Sequence, residues 1–306
     1  MGTSALRRRT VLAARALGVV LVVGLLASPV AGTDLDDSCG GWAGTKADGT
    51  PWECTYDDEF SGPTWDRSTW SAQDTGTSGY TMGTDTAFAC YADDDRVIDV
   101  ADGHLELSVQ RLDEPRACGD GRTSRYLAAS LMHHGTFSQT YGRYEIRAKV
   151  PDLRAKGSQT TFWLWPVDMF AYGTSWPSSG EIDIAEMYSS YPDLAIPFFH
   201  YLRKDVDTSR NQNMQTAYDC HIAVGEFNTY VLVWEPGRLT VRINGETCLT
   251  NNYSATNAPQ DHPDAPFDRP FFLSLTQGIG DQGNEYVDAD VPARLTTQVD
   301  YVRIWH

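Results

Sequence analysis

The chain has 306 residues, 41% of them hydrophobic and 21% charged, with nine Trp, fifteen Tyr and twenty-six Gly. That is apolar material for a sizeable core, and it excludes wholesale disorder, a collagen-like fibre and a small disulfide scaffold. A formal net charge of −17 argues against nucleic acid, whose binding rests on basic contacts to phosphate, and against an anionic membrane surface, so a neutral partner is expected.

At the N-terminus, Arg7-Arg8-Arg9 precede a weakly apolar run over residues 11–27, and small residues follow through Ser28, Val30, Ala31 and Gly32. The pattern predicts a secretory signal peptide over residues 1–32, cleaved near Ala31 or Gly32. Arg8-Arg9-Thr10-Val11-Leu12 also has the form of a twin-arginine signal, and a general secretory signal fits as well. The uninterrupted apolar stretch over residues 16–27 is shorter than the roughly 20 residues a span needs, so no membrane association is expected after cleavage. All six cysteines, Cys39, Cys54, Cys90, Cys118, Cys220 and Cys248, lie beyond this segment. An even number in an exported chain reads as three disulfides, and the lack of any CxxC pair disfavours structural zinc. Many pairings are formally open, and the neighbour pairing Cys39–Cys54, Cys90–Cys118 and Cys220–Cys248 is the one expected.

From residue 97 onward, short alternating segments are separated by turn residues. Residues 97–100, the turn Asp102-Gly103 and residues 104–112, with Leu105, Leu107 and Val109 on one side, predict a hairpin. Further strands are predicted over 127–132, 142–150, 160–165, 181–187, 197–202, 230–234, 239–243 with its Asn244-Gly245 turn, 271–275 and 298–305. Helical periodicity is nearly absent and no βαβ alternation or internal repeat occurs, so residues 33–306 are expected to form one all-β domain of antiparallel sheets. Long loops are predicted at 76–96, 166–179, 204–220 and 251–269, and loops of this length in a compact domain usually carry function.

The sharpest feature is Trp176-Pro177-Ser178-Ser179-Gly180-Glu181-Ile182-Asp183-Ile184-Ala185-Glu186-Met187. In a strand, Glu181 and Asp183 share one face while Ile182 and Ile184 pack on the other, and Glu186 has the wrong parity to join the acids. A β-bulge near Ala185 would bring it back. A solvated acidic strand face is the plain alternative. Crowded carboxylates repel, however, and their pKa values are driven apart, which is what an acid/base pair needs. Glycoside hydrolysis uses such a pair, one group ionised to attack the anomeric carbon and one protonated to release the leaving oxygen.

At these residues the sequence resembles the family 16 glycoside hydrolases, in the laminarinase-like group whose catalytic strand reads E-x-D-x-x-E. The resemblance runs from Tyr56-Asp57-Asp58-Glu59-Phe60-Ser61-Gly62 through Tyr141-Gly142-Arg143-Tyr144-Glu145-Ile146-Arg147-Ala148-Lys149-Val150-Pro151 to Val299-Asp300-Tyr301-Val302-Arg303-Ile304-Trp305. It implies an all-β, concanavalin A-like jelly-roll sandwich of two curved antiparallel sheets, with the catalytic cleft on the concave face. It also implies a secreted, endo-acting, retaining β-1,3-glucanase that acts on neutral β-glucan as a monomer and without a catalytic cofactor. Glu181 would be the nucleophile, Glu186 the general acid/base, and Asp183 the residue that holds and tunes the nucleophile. Trp163, Trp165 and Trp176 are candidate platforms for sugar rings; the first two share strand parity, so both face the cleft or both face the core. His200 matches a family histidine near the carboxylates, and Gln277 falls where the family places an amide in the cleft. The resemblance further implies a structural calcium bound by backbone carbonyls near Glu59 and at Gly103 and by the Asp300 carboxylate, although Asp300 could equally just open the last strand.

One departure bears on specificity. The group often carries G-x-W-P-A-F-W before the catalytic strand, and this chain reads Gly157-Ser158-Gln159-Thr160-Thr161-Phe162-Trp163. Gln159 in place of an aromatic leaves β-1,3-glucan, mixed-linkage β-1,3-1,4-glucan and other family polysaccharides open as substrates. A non-catalytic glucan-binding protein on the same fold is the reading from another class, and three crowded acids count against it.

Overall fold

In the computed structural model, which describes residues 38–204, 213–281 and 283–306, both turn dipeptides hold the left-handed conformation that tight hairpins require: Asp102 and Gly103 at φ 51° and 76°, Asn244 and Gly245 at φ 51° and 87°. They join Ile98–Ala101 to His104–Ala117 and Arg238–Ile243 to Glu246–Asn252. The signal peptide expected over residues 1–32 lies outside the described residues.

The strands pair in two layers. In one, Met214–Thr216, Ile196–His200, Glu181–Tyr188, Ser158–Pro166, Phe271–Ile279, the end of Thr123–Met132 and Ser71–Ala72 lie side by side. In the other the order is Glu246–Asn252, Arg238–Ile243, Phe227–Glu235, Gly142–Lys149 and Arg294–Trp305. His104–Ala117 and Cys54–Asp58 then pair with successive parts of that last strand. Thr123–Met132 crosses between layers, and its parallel pairing with Phe88–Tyr91 interrupts an otherwise antiparallel pattern.

Alternation explains the layering. Phe162, Leu164, Ile182, Leu273 and Leu275 from the first layer meet Tyr144, Ile146, Tyr230, Leu232, Val299 and Val302 from the second, all buried in one core. This is the all-β jelly-roll architecture expected, and Asp37–His306 forms one compact unit. The three disulfides follow the neighbour pairing, Cys39–Cys54, Cys90–Cys118 and Cys220–Cys248.

The expected loop over residues 76–96 instead holds most of a one-turn helix, Thr75–Ser78, and two strands, Thr81–Gly83 and Phe88–Tyr91. The expected loop over residues 204–220 contains the strand Met214–Thr216, while residues 205–212 lie outside the described part. Glu246–Asn252 was not legible as a strand because its side chains are largely polar. Pairing with Arg238–Ile243 and the Cys220–Cys248 bridge hold it, and only Leu249 and Asn251 turn inward.

Candidate active site

Gly180 admits the chain to the strand Glu181–Tyr188: its φ is +81°, and a Cβ there would stand 2.7 Å from the Phe267 ring. Along the strand, Glu181 lies opposite His200 and Asp183 opposite Trp163 and Phe198. Between Asp183 and Ala185 the register slips, two steps on this strand matching the single step from Trp163 to Phe162. Ile184 and Ala185 are both fully buried in the core, so Glu186 re-emerges on the face that carries Glu181 and Asp183. This is the bulge that parity demanded. Without it Glu186 would point into an apolar core with no partner, at a cost of several kcal/mol.

The three carboxylates have different surroundings. Glu181 Oε2 accepts a hydrogen bond from Trp176 Nε1 at 2.5 Å. Asp183 is 1% exposed, and its Oδ2 lies 3.2 Å from His200 Nε2 without the alignment of a hydrogen bond. Glu186 Oε2 accepts from Gln159 Nε2 at 3.1 Å and from the Tyr188 hydroxyl. Polar atoms of Asp183, Glu186 and His200 all lie within 4.8 Å of one another.

Burial, and then the Asp183 charge, push the Glu181 carboxyl up to about 8, against the opposing pull of His200 and the Trp176 N–H. Asp183 is raised by its own burial and then by the charge of Glu186; Glu186 is raised by burial, with the Tyr188 hydroxyl opposing. Burial lowers His200 and favours a neutral imidazole. Asp183 and Glu186 are linked in their titration, since the charge of one raises the other. Asp183 is the most deeply buried and is where a retained proton is best placed. Once Asp183 is neutral, the repulsion on Glu181 falls, while the larger effect of burial remains.

Trp163 and Trp165 are half-buried on the carboxylate side, with rings edge to face at 5.8 Å, while Phe162 and Leu164 between and beside them enter the core. The parity choice thus falls to the carboxylate side, away from the core. Trp163 Nε1 donates to Thr276 Oγ1 at 3.0 Å, which holds its ring. Trp176 is 57% exposed and lies 4.9 Å from the His200 ring, whose other neighbour, Phe198, stacks at 5.7 Å.

Gln277 is not among these residues. It shares parity with Leu273 and Leu275 and is fully buried between the layers. Its amide oxygen accepts from Thr160 Oγ1 at 2.7 Å and Thr297 Oγ1 at 2.6 Å, and its nitrogen donates to Ser158 Oγ at 3.1 Å. This satisfied amide braces the sheets and is turned away from the carboxylates. Sequence reasoning passed over Tyr188 and gave Gln159 no partner in the site. Tyr188 could have been found, since it stands two residues beyond Glu186 on the same face.

The one side chain expected to hold calcium, that of Asp300, already has a basic partner. The Asp300 carboxylate is paired with the Arg147 guanidinium and approached by His104 Nε2 at 3.5 Å. The Arg147 guanidinium already balances the Asp300 carboxylate, and a divalent cation there would meet it as like charge.

Comparison with known proteins agrees with this geometry. The chain is 28% identical over 268 residues to glucan endo-1,3-beta-glucosidase A1 of Niallia circulans, covering 82% of this chain and 37% of that protein. It is 30% identical over 259 residues to keratan-sulfate endo-1,4-beta-galactosidase of Sphingobacterium multivorum, covering 84% of this chain and 56% of the relative. It thus spans only about a third to just over half the length of these relatives. The laminarinase structure from Rhodothermus marinus superposes with a TM-score of 0.67 at 26% identity, covering 83% of this chain and 97% of that one. Residues 84–287 match the glycosyl hydrolases family 16, and with the bulged E-x-D-x-x-E strand in place the chain belongs to that family.

Proposed function

We propose that the chain is a secreted, endo-acting, retaining β-1,3-glucanase. One observation carries this reading: the bulge at Ile184 and Ala185 gathers Glu181, Asp183 and Glu186 on one face, beside the aromatic rings of Trp163, Trp165 and Trp176. In the first step Glu181 attacks the anomeric carbon while Glu186 gives its proton to the departing glycosidic oxygen. In the second, Glu186 takes a proton from water, the water oxygen bonds to that carbon, and Glu181 leaves. Asp183 keeps its proton and steadies Glu181, and the neutral His200 limits charge around the pair. The indole rings offer flat apolar faces to sugar rings.

The net charge of −17 supports a neutral glucan over a sulfated chain, which the protein's own field would repel. Export rests on the signal peptide expected over residues 1–32, and a monomer acting without a catalytic cofactor completes the reading. Reducing-end release from laminarin, lichenan, agarose and keratan sulfate, measured side by side, tests the substrate class. Fastest release from laminarin is expected. Release from keratan sulfate alone would overturn the glucan assignment, and binding to laminarin without any release would make the chain a glucan-binding protein. Proton NMR of the first-formed product should show the β-anomer, and an initial α-anomer would refute the retaining mechanism.

A further inference from the structure

Two donors meet on a single oxygen of Glu186. The strand register sets Tyr188 opposite Gln159, and Glu186 stands two residues before Tyr188 on the same face, so the Gln159 amide and the Tyr188 hydroxyl both reach Oε2. Among the described residues no hydrogen bond is made to Oε1. Glu186 is otherwise surrounded by Asp183 and Glu181 on its own strand, His200 on the next and Asp281 beyond, of which only His200 favours its ionised form.

Resting on the acid/base reading of Glu186, we propose that Gln159 and Tyr188 are positioning residues that occupy Oε2 and so assign the transferable proton to Oε1, the oxygen left free for substrate. A protonated carboxyl has one hydroxyl and one carbonyl oxygen. The carbonyl oxygen accepts hydrogen bonds, while a proton placed on an oxygen already facing an N–H and an O–H would meet two like partial charges. The amide nitrogen of Gln159 can only donate, so Oε2 is kept as the accepting oxygen. When the bond from the anomeric carbon to the glycosidic oxygen breaks, its electron pair stays on that oxygen and the Oε1 proton moves to it. In the second step the same Oε1 takes the proton from water. The two donors also favour the carboxylate that the second step needs, which offsets part of the burial that raises Glu186.

Gln159→Met and Tyr188→Phe keep size and remove one donor each. The measurements are kcat/KM on laminarin, kcat/KM on a dinitrophenyl β-glucoside of a short β-1,3-glucan, and the pH profile with laminarin. The dinitrophenolate leaves without needing a proton, so its release does not depend on where the Glu186 proton sits. Each variant is expected to lose about tenfold to a hundredfold on laminarin, the size of a hydrogen bond to a charged group, and less than about threefold on the aryl glycoside. The basic limb of the laminarin profile should move to higher pH, because a carboxylate that has lost a donor holds its proton longer. Equal losses on both substrates with an unmoved limb, or no loss on either, would overturn the proposal. Glu186→Gln separates it from the reading on which it rests: if that variant fails to spare the aryl glycoside relative to laminarin, Glu186 is not the acid, whatever Gln159 and Tyr188 do. If one variant does not fold, the other decides.

Discussion

His133 follows the crossing strand Thr123–Met132 and is fully buried, and neither ring nitrogen has a hydrogen-bond partner. Its ring lies 3.8 Å from that of Trp70, 4.5 Å from Tyr56 and 5.4 Å from Phe137. Burial alone lowers its pKa to about 3. The folded value lies below that of the unfolded chain, about 6.5, so the unfolded chain takes up a proton that the folded one refuses. This contribution to stability is whole above that unfolded value and is lost as pH falls toward the folded one. At pH of about 4.5 the unfolded imidazole is almost entirely charged, the buried one is not, and linkage gives a loss of about 3 kcal/mol from this residue alone. His133→Leu has similar volume and no proton to bind. Guanidinium unfolding of both proteins at pH about 7 and about 4.5 isolates the effect, since every other titrating group is common to both. The wild type should lose about 3 kcal/mol more than the variant on acidification. Parallel losses would show that the imidazole is solvated or paired when folded, and would refute the account.

Glu181→Gln and Glu186→Gln should each reduce laminarin turnover on the order of a thousandfold or more while leaving the unfolding midpoint near that of the wild type. Azide added to Glu181→Ala should restore part of the activity and yield a product of inverted configuration. Mass spectrometry under non-reducing conditions should find no free thiol, and replacing Cys220 and Cys248, 28 residues apart, by alanine should lower stability by about 3 to 4 kcal/mol on the chain-entropy account. Neither millimolar calcium nor its chelation should shift the Tm, because Arg147 and His104 already attend Asp300; a rise with calcium would show that the ion displaces them.

Alternation along the chain was enough to determine the strands of the core, since a side chain's face depends only on its neighbours in sequence. The same local rule placed Glu181 and Asp183 together, and it required an irregularity before Glu186, because the alternative was a charged group in apolar surroundings. What each face meets is a different matter. Gln277 sits on a strand whose two faces are both covered, so its composition did not reveal that its amide turns toward Thr160 and Thr297. Trp163 and Trp165 were tied to each other by parity, and only the packing of Phe162 and Leu164 into the core decided that the pair lies beside the carboxylates. Arg147 and Asp300 are far apart in the chain and adjacent only because Gly142–Lys149 pairs with Arg294–Trp305. Gln159 reaches Glu186 for the same kind of reason. Cross-strand neighbours are set by strand order and register, and these follow from the burial of the whole core rather than from any one segment.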